Sequence, residues 1–454
     1  MNRIRERKEM ALLPPIQIAL DLLDLPRAIR IAEEAVKGIL EETRDDSKAW
    51  VELGTPLIKS EGMNAIREMR DKFPQLTICA DMKTMDAGAT EVEMAAKAGA
   101  NVVFVLGCSP DSCISEAVLA AKKYGVKIAA DLISVTDPEK RAVELEKMGV
   151  DIVNIHVGLD QQVLGIKPVE LVRRIAAAIS GKAMISAAGG LNSETAVQAW
   201  EAGADIIIVG GSLYKAASPE ESVRKIIQSL KSGKPIVSKE FVKYDSEHLV
   251  EAFMKVSTAN VSDAMHRTGE LRGLKPVWVG APGDLKFAGP AVTVRTYNGD
   301  WSAPVQAIDH AKQGDILVVD ACQGEIAIWG ELATHSCISK GVAAVIIDGA
   351  VRDIDDIRKL KFPVYARYFT PTAGEPKGFG EINVPIEVCG RKVEPGDWII
   401  GDESGVVVVP RGNAMEMANR AIDVLERENR IREEIKRGST LGQTAYLRKW
   451  DVKK

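Results

Sequence analysis

The sequence predicts an α/β protein of two domains, the first of which is a (β/α)8 barrel, also called a TIM barrel. Eight short apolar runs, each followed by a helix-like segment, occupy residues 15–232 of the 454-residue chain. Strict alternation of strand and helix favours a parallel sheet, and eight repeats favour its closure into a barrel. A Lys-Ser-Gly-Lys-Pro segment at 231–235 then interrupts the helical pattern, and a different rhythm of strands follows. The predicted barrel strands are residues 16–22, 49–54, 77–83, 101–107, 126–133, 151–158, 182–190 and 205–212.

Polar side chains fall at the ends of four of these strands. Residues two apart in a strand share a face, so His156 points away from its apolar neighbours Ile155 and Val157. The carboxyl ends of barrel strands meet at one mouth, where barrel enzymes carry their chemistry. We therefore expect five inward-facing polar residues to gather there: Asp21, Glu52, Asp81, Lys83 and His156.

The stretch from Asp81 to Asp86 is the most informative of these strand ends. Two carboxylates bracket Lys83 where a buried-looking strand finishes, and Asp86 falls on the following loop. Acidic and basic groups placed together in this way are typical of a site that removes a proton beside a carbonyl group and stabilises the resulting negative charge.

Glycine pairs follow the last two predicted strands, at Gly189-Gly190 and Gly210-Gly211. Barrels bind phosphate in this region through backbone N–H groups. Glycines can also simply tighten a turn between strand and helix. Their joint occurrence after strands 7 and 8 favours a phosphorylated substrate.

These residues resemble the orotidine 5'-monophosphate decarboxylase superfamily and, within it, the 3-hexulose-6-phosphate synthases. The related 3-keto-L-gulonate-6-phosphate decarboxylases carry an arginine three residues after the histidine, where this chain has Leu159. That difference favours the synthase, and the decarboxylase remains the alternative. The resemblance is carried by residues 19–21, 52–58 with 61–62, the Asp81/Lys83/Asp86 motif with 98–100, 156–161 and 188–190.

The resemblance implies reversible aldol addition of formaldehyde to ribulose 5-phosphate through an enediolate. His156 is the natural base, because histidine titrates nearest neutral pH. Glu52 and Asp81 offer hard oxygen ligands for Mg²⁺ or Mn²⁺, and Lys83 adds a fixed positive charge. In the superfamily, the residue at the position of Asp86 reaches into the partner's site, which implies at least a homodimer. The predicted catalytic residues are Asp21, Lys83, Asp86 and His156.

The second half combines short strands at 316–320, 342–348 and 363–366 with a late β-rich stretch that ends at Val409. A charged helix at 415–436 has apolar residues at helical spacing, which is typical of a packing or oligomerisation helix. A glycine turn at Gly330 opens a predicted helix and provides free N–H groups, and Arg352-Asp353 offers a carboxylate clamp and a metal ligand.

This half resembles the RraA family, which includes trimeric or hexameric inhibitors of RNase E and metal-dependent 4-hydroxy-4-methyl-2-oxoglutarate aldolases. The aldolase branch needs the Arg-Asp pair and a further acid, matched here by Arg352, Asp353 and Asp356. The resemblance therefore implies a divalent metal at Asp353 and a pyruvate-type 2-oxo acid held by Arg352 and the amides of Gly330, Glu331 and Leu332. A non-catalytic binding or oligomerisation module is the alternative.

The predicted domains are a charged tail at 1–14, the barrel at 15–232, a linker at 233–240, the RraA-like α/β domain with its helix at 241–436 and a tail at 437–454.

Composition adds few constraints. A net charge of −5 gives no reason to expect nucleic-acid binding. We expect no membrane segment, because the basic start at 3–8 is followed by no apolar span. The six cysteines form no CxxC pair, which favours a reducing cytoplasm, and the five scattered histidines give no zinc pattern.

Overall fold

In a computed structural model, which describes residues 13–158, 168–237 and 242–444, the chain divides into two compact units. Residues 1–242 and 426–454 form the first unit, and residues 243–425 form the second. The predicted boundaries assigned the whole helix at 415–436 to the RraA-like domain and made 437–454 a separate tail, whereas the described residues from 426 onward belong to the barrel unit. In the described part of the chain, no helix has the length and apolar character needed to cross a membrane.

The first unit contains the predicted barrel. Eight parallel strands close in chain order, with the first strand paired to the second and to the eighth. These strands are β1 (Ile16–Leu20), β2 (Ala49–Leu53), β3 (Thr77–Thr84), β4 (Val102–Leu106), β5 (Lys127–Asp131), β6 (Ile152–His156), β7 (Met184–Ala188) and β8 (Ile206–Val209).

The helices between the strands begin at clear sequence signals. Asp24, Asp137 and Ser218 each accept a hydrogen bond from a backbone N–H of the first turn, and a proline follows within two residues. The helices are α1 (Leu25–Thr43), α2 (Thr55–Glu61), α3 (Met63–Lys72), α4 (Gly88–Ala98), α5 (Asp111–Tyr124), α6 (Pro138–Met148), α7 (Val169–Ala178), α8 (Thr195–Ala202), α9 (Gly211–Tyr214) and α10 (Pro219–Ser232).

Alternation along the strands separates two apolar layers, as the sequence predicts. Ile18, Val153 and Ile155 pack outward with the helices. A second cluster fills the barrel interior below the mouth and includes Ala19, Cys79, Phe104, Ala129 and Ile152. Polar residues at the carboxyl ends of the strands therefore stand above an apolar floor.

The second unit is an α/β domain built on a mixed sheet. Its strands are β9 (Lys275–Pro276), β10 (Phe287–Arg295), β11 (Ile316–Trp329), β12 (Ala344–Val351), β13 (Val364–Phe369), β14 (Glu381–Ile382), β15 (Ile386–Val388), β16 (Arg391–Val393), β17 (Trp398–Asp402) and β18 (Gly405–Val409). The strand order in the sheet is β18-β17-β10-β11-β12-β13-β9. Its centre, β10 to β13, is parallel, and antiparallel strands flank it on both sides.

Strand β11 is longer than predicted, because it continues through an irregular segment to Trp329. Cys322 and Gln323 adopt left-handed backbone angles there, which alternation of apolar residues does not reveal. The helices of this unit are α11 (Leu249–Lys255), α12 (Thr258–Ala264), α13 (Ser302–His310), α14 (Glu331–Lys340) and α15 (Ile354–Leu360). Helix α16 (Ala414–Lys436) begins in this unit and ends in the barrel unit, to which α17 (Leu441–Thr444) also belongs.

Glu146 on α6 fastens the loop that leads into β7. Its Oε1 accepts hydrogen bonds from the backbone N–H groups of Gly181, Lys182 and Ala183 at 2.9, 2.8 and 3.1 Å, and its Oε2 accepts one from Ser180 at 2.7 Å. Burial would raise the pKa of this carboxyl, but the N–H bonds outweigh burial and lower it to about 2.

We expect Glu146→Gln to lower the free energy of unfolding by about 2 kcal/mol at neutral pH, because the amide leaves part of this buried N–H cluster unsatisfied. The folded pKa lies below the usual 4.5, so the stabilisation is full above that value and is lost as pH falls towards 2. The difference between wild type and variant, measured by urea unfolding, must therefore shrink on acidification. Glu144→Gln, on the same helix but paired with Arg141 at the surface, serves as control and should have little effect at any pH.

Candidate functional site

The mouth of the barrel brings the predicted polar residues together. Glu52 is the second-last residue of β2, Asp81 and Lys83 lie in β3, and His156 is the last residue of β6. Asp21 follows β1 directly. A further carboxylate, Asp131 at the end of β5, lies among them and was not predicted.

Asp131 is the centre of a hydrogen-bonded chain. Its Oδ2 lies 2.9 Å from Nζ of Lys83 and 2.8 Å from Nδ1 of His156, and its Oδ1 accepts the backbone N–H of Ile133 at 2.9 Å. The Asp131 side chain is fully buried. Burial alone would raise its pKa, but the contacts with His156 and Lys83 lower the pKa of Asp131 to about 2. An ionised carboxylate accepts hydrogen bonds and donates none, so Nδ1 of His156 carries a proton, and in the neutral imidazole Nε2 is then the acceptor.

Lys83 joins this chain to Asp81. Its Nζ lies 3.0 Å from Oδ2 of Asp81, and the same oxygen accepts the hydroxyl of Thr55 at 2.8 Å. Burial disfavours the charged ammonium, but the carboxylates of Asp81 and Asp131 raise the pKa of Lys83 above its usual value. Lys83 is therefore a permanent cation at neutral pH.

The backbone of β3 is irregular where these residues lie. The register against β4 shifts between Ala80 and Thr84, and Lys83 adopts a left-handed conformation with φ +47°. For a lysine this conformation is unfavourable, so the surrounding contacts must hold it. Simple strand alternation correctly predicts that Asp81 and Lys83 share a side, but it does not predict the bulge that presents them.

Glu52 is buried beside Asp81 and receives a hydrogen bond from Nε2 of Gln17 at 2.6 Å. Burial, and then the neighbouring carboxylates of Asp81 and Asp21, raise the pKa of Glu52 well above its usual value. Asp21 is solvent-accessible but lies within the concave mouth of the barrel. Partial loss of hydration there, and then the charge of Asp81, raise the pKa of Asp21 as well. Three carboxylates thus share a small volume with one lysine.

This donor set fits a hard divalent cation. Carboxylate oxygens are the ligands that Mg²⁺ prefers, and it is commonly held by one or two carboxylates while its other positions take water or substrate oxygens. A cation between Glu52 and Asp81 would also relieve the repulsion that raises the pKa of Glu52. No group of three or more potential metal-binding side chains occurs among the residues that the structure describes.

Asp86 stands apart from this network. Asp86 lies on the exposed loop before α4, where its Oδ1 accepts the backbone N–H of Ala87 at 2.7 Å. The structure does not bring its side chain to Asp131 or His156 within the chain. Leu159, on which the choice between synthase and decarboxylase rests, lies outside the described residues.

The two glycine pairs lie side by side after β7 and β8, which are neighbouring strands. Gly189 has φ +109°, and a Cβ atom there would lie 2.5 Å from the carbonyl oxygen of Val157, so the position requires glycine. Ser212, beside Gly211, donates its hydroxyl to the carbonyl of Leu191 at 2.7 Å and ties the two loops together. Lys215 extends beside Gly211 and adds a cation that was not predicted from sequence.

The residues predicted for the second domain also come together, around Asp353. Its Oδ2 accepts the N–H of Glu331 at 3.2 Å and lies 3.4 Å from Nε of Arg352. A side chain at Gly330 would collide with this carboxylate, so glycine permits its approach. Leu332 is 76% exposed. Asp356, the further acid implied by the aldolase resemblance, instead pairs with Lys359 at 2.7 Å.

Asp131 is the residue that sequence reasoning missed, although a signal was present. It ends an apolar run in the same manner as Asp81, and it alternates with Ala130 on the face shared with Ala129, which lines the barrel interior. Lys215 gave a weaker signal, because one lysine beside a glycine pair is common on protein surfaces.

Comparison with known proteins assigns both halves. Residues 14–226 match the family model of the orotidine 5'-phosphate decarboxylase / HUMPS family, and residues 258–408 match the RraA-like (Aldolase/RraA) model. A 3-hexulose-6-phosphate synthase from Bacillus subtilis is 38% identical over 218 residues, which is 48% of this chain and 99% of that protein. The crystal structure of 3-hexulose-6-phosphate synthase from Salmonella typhimurium is 36% identical, covers 48% of this chain and 99% of its own, and has a TM-score of 0.45.

For the other half, a crystal structure of Streptomyces coelicolor RraAS2, described as an unusual member of the RNase ES inhibitor RraA protein family, is 28% identical. It covers 42% of this chain and 100% of its own, with a TM-score of 0.38. The two family models and the B. subtilis relative show that the chain belongs to the orotidine 5'-phosphate decarboxylase / HUMPS family and carries an RraA-like second domain.

Proposed function

We propose that the barrel is a 3-hexulose-6-phosphate synthase, which adds formaldehyde to ribulose 5-phosphate and also catalyses the reverse cleavage. The observation that carries this proposal is the Asp131 carboxylate shared by Lys83 and His156. It supplies an oriented base and a fixed cation at the place where relatives named as this synthase align with the chain. The decarboxylase of 3-keto-L-gulonate 6-phosphate remains the alternative.

His156 is the proposed base. With Nδ1–H donated to Asp131, its Nε2 takes a proton from C1 of ribulose 5-phosphate, and the electron pair of that C–H bond forms the enediolate with C2. C1 then attacks the carbon of formaldehyde, and the formaldehyde oxygen takes up the proton. Lys83 holds a positive charge beside the oxygen on which negative charge develops. A divalent cation held by Glu52 and Asp81 would supply Lewis-acid stabilisation of the same charge.

The remaining predicted residues complete the proposal. Asp21 orients a substrate hydroxyl group from the rim, and Gly189, Gly190, Gly210 and Gly211 hold the phosphate with their backbone N–H groups, aided by Lys215. Asp86, exposed on its loop, is proposed to act in the site of a partner in a homodimer. The free cysteines among the described residues accord with the proposed cytoplasmic compartment.

The test is to mix the protein with ribulose 5-phosphate, formaldehyde and Mg²⁺ and follow the loss of formaldehyde. We expect consumption that a chelator abolishes, that Mg²⁺ or Mn²⁺ restores and that Asp81→Ala reduces by about a thousandfold. Asp111→Asn, at an exposed position paired with Arg141, should behave as wild type. Failure of the folded wild type to consume formaldehyde would reject the synthase, and 3-keto-L-gulonate 6-phosphate would then be tested for release of carbon dioxide.

For the RraA-like half, we propose metal-dependent chemistry on a pyruvate-type 2-oxo acid, either aldol cleavage or decarboxylation. Asp353 would hold the metal, because its carboxylate lies partly exposed at the end of β12 against the amide of Glu331. Arg352 would pair with the carboxylate of the 2-oxo acid, and the Gly330 to Leu332 amides would hold its oxygens. The alternative is a regulatory or oligomerisation module, for which trimers or hexamers are expected.

We expect Asp353→Ala to abolish release of pyruvate from 4-hydroxy-4-methyl-2-oxoglutarate and from oxaloacetate without changing formaldehyde consumption by the barrel. Pyruvate is followed with lactate dehydrogenase. Asp355→Ala removes a nearby carboxylate that is 86% exposed and provides the matched control, which should remain active. Equal pyruvate release by Asp353→Ala and wild type would reject the metal role, and none from wild type would favour the binding module.

A further inference from the structure

The last turns of α16 hold the segment that follows the second glycine pair. Arg430 is 3% exposed, and its Nη1 lies 3.3 and 3.1 Å from the carbonyl oxygens of Ala216 and Ala217. About two helical turns later, Nη2 of Arg437 donates to the same Ala217 carbonyl at 3.0 Å. Two guanidinium groups thus bind two successive carbonyls, which begin two residues after the end of α9.

The other nitrogen atoms of the Arg430 guanidinium bind carboxylates. Its Nε donates to Oε1 of Glu434 at 2.9 Å, and its Nη2 lies 3.4 Å from Glu34 on α1. Glu434 also receives Nε of Arg27 at 3.1 Å. These partners fix the position of the Arg430 guanidinium. A guanidinium held in this way loses little conformational entropy when it also binds the carbonyls of Ala216 and Ala217, so it holds them rigidly.

The clamped segment is continuous with the proposed phosphate loop. Gly210, Gly211 and Lys215 lie at most seven residues before Ala217 in the chain. On the opposite side, Ser212 is fixed by its bond to Leu191, and its carbonyl accepts the hydroxyl of Ser222 at 2.6 Å. Removal of the arginine clamp therefore takes these partners from the carbonyls of Ala216 and Ala217, while the hydrogen bonds of Ser212 near the start of the loop remain.

We propose that Arg430 and Arg437 are positioning residues for the phosphate group of the substrate, an inference that rests on the proposed function. They act through Ala216 and Ala217 on the Gly210–Gly211 amides and Lys215. The arginines lie outside residues 14–226, which match the barrel family, and the B. subtilis relative is covered over 99% of its length by a 218-residue match.

The test compares Arg430→Met, Arg437→Met and the control Arg432→Met in the full chain. The control substitution removes the same charge from the same helix, but Arg432 pairs with Glu428 at the surface. Binding of ribulose 5-phosphate is measured by calorimetry in the absence of formaldehyde, and KM and kcat are measured with it. We expect the Kd and KM for ribulose 5-phosphate to rise about tenfold in Arg430→Met and about threefold in Arg437→Met, with kcat changed by less than about twofold. Arg430→Lys should recover part of the loss, and Arg432→Met should bind as wild type.

The outcomes separate this inference from the proposed function. A wild type that binds ribulose 5-phosphate but consumes no formaldehyde rejects the synthase, while the Kd series still decides the role of the arginines. Unchanged Kd in folded Arg430→Met and Arg437→Met, or an equal loss in Arg432→Met, overturns the inference, as does a wild type that binds no ribulose 5-phosphate. If Arg430→Met fails to fold, the half-exposed Arg437 provides the decisive variant.

Discussion

The buried carboxylate of Asp131 is the group on which the barrel site depends. An ionised carboxylate without solvent is costly unless it is paired and hydrogen-bonded; Lys83 supplies the opposite charge from β3, and His156 supplies a hydrogen bond from β6. The same two contacts fix the position of the cation and the tautomer of the imidazole. The contacts that stabilise the buried carboxylate therefore also orient the catalytic groups. They also hold the strained backbone at Lys83 in place.

Much of the fold and part of the site follow from sequence. The period of two and the alternation with helices predict the eight-stranded barrel, because both reflect which face of a strand is buried. The convergence of Glu52, Asp81 and His156 then follows from barrel topology alone. Asp131 could have been found by the same alternation. The bulge at Lys83 could not, because the alternation of apolar residues carries no signal for the register shift against β4 or for the left-handed backbone of Lys83.

The C-terminal helix illustrates a second limit of sequence reasoning. Its apolar spacing predicts a packing helix but not the surface on which it packs, and the predicted boundary assigned all of it to the second domain. In the sequence, Arg430 is indistinguishable from the other charged residues of this helix. In the structure it is almost fully buried and contacts the barrel residues Glu34, Ala216 and Ala217. A buried arginine of this kind is recognised from its partners and not from its own pattern.

The most direct test of the central claim is exchange of the C1 protons of ribulose 5-phosphate with deuterium oxide, in the absence of formaldehyde, followed by NMR in wild type and in Asp131→Asn. The account predicts exchange by wild type and a loss of about a hundredfold or more in the variant, because an amide next to Nδ1 no longer selects the tautomer with a free Nε2. Exchange by folded Asp131→Asn at the wild-type rate would contradict the assignment of His156, oriented by Asp131, as the base.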